Sequence, residues 1–173
     1  LRYIMATHQV LIAGEWRDSD ATQTFQASDP RAATLIPEDY PVSSWAECEA
    51  ALDAAGIAYA QLREMPGEAI AAFLEAYATR IDARSEEIRT SAARETALPA
   101  ETRLVGELAR TTGQLRAAAS ATRSSAWQMP IIDSANNIRS CFAPLGPVAV
   151  FGPNNFPLAF GSISGGDFAA AIA

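Results

Sequence analysis

The run Val148-Ala149-Val150-Phe151-Gly152-Pro153-Asn154-Asn155-Phe156-Pro157 constrains the fold of this chain more than any other stretch. Val148 to Phe151 is short and wholly apolar, with Gly146 and Pro147 before it, which is the pattern of a strand buried on both faces. Gly152-Pro153-Asn154-Asn155 then breaks the run, because Gly, Pro and Asn together specify a turn. Asn155 stands just before the next apolar run, and Pro157 follows two residues on. Asn is a favoured N-cap, and Pro is welcome in a first helical turn, where its missing N–H would be unpaired anyway. The spacing predicts strand, tight loop, helix. In an open parallel sheet, ligands bind beyond the carboxyl ends of strands, beside helix N-termini. Asn154 and Asn155 fall there. The residues alone leave two roles open for Asn155, a helix cap or an amide donor to a ligand.

Upstream, Gln9 to Arg17 reads as two short strands around an Ala13-Gly14 turn. Thr22 to Val42 reads as loop, punctuated by Pro30, Pro37 and Pro41. Ser44 and Glu47 have capping-box spacing, and the helix after them sets Leu52, Ala55, Tyr59 and Leu62 on one face. Met65-Pro66-Gly67 ends it. Ile70, Phe73, Leu74, Tyr77 and Ile81 form the stripe of a second helix, which reads as core. A third helix opens near Ser85 and breaks at Leu98-Pro99. Val105, Leu108, Thr112, Leu115 and Ala119 mark a long fourth helix, with Arg103, Arg110, Arg116 and Arg123 off the stripe and expected in solvent. Met129 to Ile132 and Asn137 to Cys141 read as a hairpin near residues 128–142.

Composition excludes several kinds of chemistry. A net charge of −7 argues against a nucleic-acid surface and against a polybasic membrane contact. The chain has no lysine, so it holds no Schiff-base or Walker lysine. His8 is the single histidine, and Cys48 and Cys141 lie far apart, so no metal-type spacing exists. No disulfide is suggested, which makes the cytoplasm the default compartment. No run approaches the roughly 20 apolar residues of a membrane span, and the amino end lacks a secretory core. Cys141 has no histidine placed to activate it and no evident cationic cluster, and reads as a buried structural thiol; Cys48 reads as inert. Glu95 reads as a helix-surface carboxylate. Residues 1–4 precede Met5 and read as a leader. The chain ends in helix-forming Phe168 to Ala173 with no stop signal, so the expectation is the front part of a longer polypeptide.

Pro144-Leu145-Gly146-Pro147 with Phe151 to Pro157 resembles the first cofactor-binding strand and loop of the aldehyde dehydrogenase superfamily, with Asn155-Phe156-Pro157 as its core. Leu158 to Phe160, continuing through Ser164-Gly165-Gly166-Asp167, resembles the branch of α-ketoglutaric semialdehyde (2,5-dioxovalerate) and fatty aldehyde dehydrogenases. Arg94 to Pro99, Arg110 to Arg116 and the opening hairpin Val10 to Trp16 agree.

The resemblance implies an α/β fold. Residues 5–173 would be the N-terminal part of an aldehyde dehydrogenase-like fold, with helices, β-hairpins and the first strand–loop–helix of a Rossmann-like cofactor domain. The 128–142 hairpin would belong to an arm carrying subunit contacts of a homo-oligomer. The implied reaction takes an aldehyde to a carboxylate with NAD or NADP, NADP being favoured by the branch. Asn155 matches the asparagine that donates to the oxyanion. Phe151, Gly152, Pro153 and Asn154 match the loop along the nicotinamide ribose, where the family commonly has Trp or Ser at the position of Asn154. The family's ribose-binding Lys and its catalytic Glu and Cys have no counterpart here, so this chain alone is expected to be inactive. The alternative is a non-catalytic assembly module derived from such an enzyme. A further rival, a helical scaffold unrelated to that family, expects no strand–loop–helix over 148–173.

Overall fold

The computed structural model describes residues 7–173; the expected leader, residues 1–4, lies outside the described residues. Three separate antiparallel hairpins are strung along a helical body. The first pairs β1 (Val10–Ile12) with β2 (Glu15–Arg17), as the Ala13-Gly14 turn predicts. Both turn residues have positive φ, 55° and 83°.

The second hairpin corrects the loop reading of Thr22 to Val42. Strands β3 (Thr24–Asp29) and β4 (Thr34–Pro41) pair across it, with a register shift between Gln26 and Ser28. Pro37 and Pro41 are compatible with a two-stranded ribbon, because an edge strand has one side with no ladder to donate to. The hairpin docks on the helical body through Arg94, which donates to both Glu38 carboxylate oxygens at 2.9 and 3.1 Å. That hydrogen-bonded guanidinium holds the Glu38 carboxyl below its usual range.

The body contains α1 (Trp45–Leu62), α2 (Gly67–Ala83), α3 (Ser85–Thr96) and α4 (Val105–Ser124). Ser44 caps α1, its Oγ accepting from the Glu47 amide at 3.2 Å. The Glu47 carboxylate accepts from Ser19 Oγ and the Asp20 amide, tying the first hairpin down. The expected face of α1 is only partly covered: Ala55, Tyr59 and Leu62 are half-buried, and Leu62 packs against the core. Leu52, at the amino-terminal end of that face, is exposed. Helix α3 stops at Ala97, in the left-handed region at φ 60°, two residues before Pro99.

The core lies between α2 and α4, which run antiparallel: the backbone of Gly67 meets that of Thr122. Ile70, Ala71, Leu74, Ala78 and Ile81 of α2 face Leu108, Leu115 and Ala119 of α4. Phe73 departs from its predicted stripe and is half exposed. A π-type turn at Ala100–Leu104 leads into α4. Its extra residue rotates the entry, so that Leu104 is fully buried and Val105, expected inside, is exposed. The third hairpin, β5 (Ile131–Asp133) with β6 (Ile138–Ser140), forms where expected. Asp133 closes its turn by accepting from the Ala135 and Asn136 amides and from the Asn136 side chain. The arm has no neighbour among the described residues that covers it, and Cys141, expected to be buried, is exposed.

The predicted strand Val148 to Phe151 does not form a ladder with any described residue. Val148 and Phe151 are exposed, 50% and 88%. A strand exists only by pairing, and the described chain supplies no partner for this one. The predicted helix after Asn155 is likewise a series of turns over 157–164, and regular helix begins at α5 (Gly166–Ile172), preceded by Gly165 in the capping position.

Candidate functional site

The loop from Phe151 to Asn155 lies across the outside of the molecule. Phe151, Gly152, Pro153, Asn154 and Asn155 are all exposed. Gly152 is where the loop touches the following turn. A Cβ there would lie 2.7 Å from the Ser162 amide nitrogen and 3.0 Å from the Phe160 carbonyl oxygen. Only glycine lets the two backbones approach so closely. The opposite side of the loop faces solvent.

Asn155 does not cap a helix: no regular helix follows it directly, and its side chain makes no hydrogen bond among the described residues. The backbone beside it is held firmly. Arg103 Nη2 donates to the Asn155 carbonyl at 3.1 Å, and the guanidinium lies 4.1 Å from the centre of the Phe156 ring. Two residues on, the Leu158 and Ala159 amides both donate to Glu107 Oε1, at 2.8 and 3.1 Å. Glu107 is 5% exposed. Its Oε2 stands 3.3 Å from Arg103 Nε, an ion pair without hydrogen-bond alignment. Arg103 and Glu107 are one helical turn apart at the entry of α4, so one face presents both.

Around this clamp, Phe156 and Phe160 meet edge to face at 5.4 Å, and Arg110 lies over Phe160 at 4.9 Å. Tyr77 of α2 donates to the Ile163 carbonyl at 2.9 Å. Burial pushes its phenol above the usual value, so it remains a donor at neutral pH. Leu158 and Ala159 are buried under the clamp.

Arg103 is therefore not a solvated arginine, and the sequence reading also missed Glu107. A signal was present. A carboxylate on the buried stripe side of an amphipathic helix needs partners, and Glu107 adjoins Leu108 of that stripe. Which backbone amides it serves is 51 and 52 residues away in sequence, and no local pattern encodes that. Cys48 and Cys141 are not drawn into this cluster, whereas Glu95 of α3 lines an open groove with Pro157 and Leu158 at its edge. Two open grooves on the molecule are lined by residues of α3, one of them also by Pro157 and Leu158, and neither is lined by residues 151–155.

The family model described as "Aldehyde dehydrogenase family" matches residues 16–173. The alpha-ketoglutaric semialdehyde dehydrogenase 2 of Azospirillum brasilense is 39% identical over 177 residues, covering 96% of this chain and 33% of that relative. The alpha-ketoglutaric semialdehyde dehydrogenase of Acinetobacter baylyi is 35% identical, covering 87% and 31%. The crystal structure of an aldehyde dehydrogenase from Brucella melitensis biovar abortus superposes with a TM-score of 0.83 at 22% identity, over 96% of this chain and 34% of that one. The chain thus spans about a third of the length of the relatives it matches.

Proposed function

Because the chain belongs to the aldehyde dehydrogenase family, we propose that it contributes the oxyanion-donating and nicotinamide-facing loop of an enzyme that oxidises an aldehyde to a carboxylate. Asn155 is the donor. Its carboxamide is exposed and free of intramolecular partners among the described residues, on a backbone held at its own carbonyl by Arg103 and in the following turn by Glu107. That observation carries the reading. An amide held in this way stabilises charge developing on the aldehyde oxygen without reorganising and without titrating. The bound nicotinamide supplies the hydride acceptor. Phe151, Gly152, Pro153 and Asn154 offer it the open side of the loop, the other side being closed by Phe160 to Ser162.

The family uses NAD or NADP. NADP is the cofactor we favour, on the likeness of Leu158 to Asp167 to the semialdehyde and fatty aldehyde branch. A semialdehyde such as 2,5-dioxovalerate is the favoured substrate, in keeping with the names of the two relatives, and a fatty aldehyde is the alternative. Among the described residues no helix is long and apolar enough to cross a membrane, and a cytoplasmic homo-oligomer is proposed. A second reading, a non-catalytic assembly module, draws support from the uncovered apolar arm formed by β5 and β6.

The test is to purify the polypeptide that contains this chain, establish its intact mass, and assay 2,5-dioxovalerate oxidation with each nucleotide. Asn155→Ala is expected to lower kcat by roughly 10²–10³, the effect of removing one oxyanion donor, with nucleotide binding retained. Unchanged turnover in that variant would sink the reading. Defined assembly with neither nucleotide binding nor turnover would favour the second one.

A further inference from the structure

We infer that Glu107 and Arg103 are positioning residues for Asn155, acting as one clamp that fixes the aim of its carboxamide. The inference rests on the proposed role of Asn155 and goes beyond it to the machinery behind that side chain. Three observations combine. The Glu107 carboxylate is 5% exposed and spends one oxygen on the amides of Leu158 and Ala159, inside the turn that follows Asn155. The other oxygen faces Arg103, and Arg103 grips the carbonyl of Asn155 itself while its guanidinium sits 4.1 Å from the centre of the Phe156 ring. The whole arrangement grows from the π-type turn at Ala100–Leu104, which re-aims the first residues of α4.

A purely structural role does not require this design. Buried amides at a turn are satisfied by a backbone carbonyl or a small hydroxyl. A buried carboxylate is a costly alternative, and it is tolerable here because both amides and a guanidinium meet it. What the charged clamp adds is stiffness at the carbonyl of Asn155 and in the turn that follows it. The predicted helix that would have fixed Asn155 is missing, since residues 157–164 form only turns. The clamp takes over that task. Oxyanion stabilisation needs its donor in place before charge develops, and a misplacement of about 1 Å costs on the order of 10²-fold in rate.

A double-mutant cycle tests this in the polypeptide that contains the chain. Glu107→Ala is made in the parent protein and in an Asn155→Ala background. The expected result is a roughly 10²-fold fall in kcat in the first, with substrate KM little changed, and no further fall in the second. Glu107→Gln, which keeps an acceptor for the two amides, is expected to recover most of the rate. Equal losses in both backgrounds would mean that Glu107 does not act through Asn155. That result overturns the inference and leaves the role of Asn155 standing. No loss from Asn155→Ala alone overturns that role, and the inference with it. If Glu107→Ala yields no folded protein, Arg103→Gln carries the same cycle with the same outcomes, from a side chain 37% exposed. Amide hydrogen exchange gives a readout free of turnover: Leu158 and Ala159 are expected to be protected in the parent protein and to exchange faster in either variant. Unchanged protection in both also overturns the clamp.

Discussion

At the scale of single residues, the loop depends on one glycine and one amide. Asn155 presents its carboxamide because nothing in the described chain engages it, and because its own backbone is engaged. Gly152 makes the return of the loop possible. Gly152→Ala is expected to lower unfolding free energy by about 1–3 kcal/mol, the usual scale of forcing an atom into a filled contact. Gly56→Ala is the control. Gly56 lies inside α1 where a Cβ meets nothing within 4 Å, and that substitution is expected to gain roughly 0.5–1 kcal/mol from helix propensity. Urea unfolding of the two variants reads both signs. Equal shifts would mean that the Gly152 contact has no energetic weight.

Among elements, the α2–α4 pair is the frame on which the clamp is mounted, and Arg123 fastens its far end. Its guanidinium donates to Glu68 and Glu75, one helical face of α2. Those hydrogen bonds hold both carboxyls below the ordinary value of 4.5. Folded values below unfolded ones mean that the stabilisation is complete above the unfolded carboxylate range and is lost as pH falls through the folded values. Arg123→Gln is expected to melt at a lower temperature than the parent chain near neutral pH. The gap should narrow below about pH 4 and shrink in high salt, because these groups are exposed to solvent. Melting curves across pH check this, and a gap that persists undiminished once both carboxyls are protonated would contradict it.

Over the whole molecule, the apolar surface is unevenly distributed. Ile131, Ile132, Ile138, Phe142, Leu145 and Phe151 are exposed together along the third hairpin and the segment after it. Ile131 and Ile132 point to opposite faces of β5, so both faces of a two-stranded ribbon are apolar. A lone hairpin is marginal in water, and clustered apolar exposure marks a contact surface. The chain is expected to self-associate, with sedimentation mass rising with concentration in the micromolar range. Ile131→Glu with Ile138→Glu should return it to a monomer with an unchanged helical spectrum. A parent chain that stays monomeric throughout would remove the arm as an assembly surface.

Helices α1 to α4, two of the three hairpins and the loop carrying Asn155 were legible because periodicity, caps and turn residues act over a few neighbours. The family resemblance was legible for the same reason, since Asn155-Phe156-Pro157 is a contiguous motif, and the match over residues 16–173 bears it out. It does so although the local criterion favoured the rival: no strand–loop–helix forms over 148–173, and a reading confined to that segment would have chosen the unrelated scaffold. The strand at Val148 and the burial of Cys141 failed for a common reason. Each is settled by what packs against the element, and these segments have no cover within the described chain. The second hairpin hid behind its prolines, which are tolerated once the ribbon has free edges. Sequence alone determined the four long helices, the stripes of α2 and α4 that supply most of the core, and which loop bears the amide. Only the tertiary structure decided that Glu107 and Arg103, about fifty residues upstream, would hold that loop. A buried carboxylate declares that it needs donors, but which donors reach it depends on how the chain folds back.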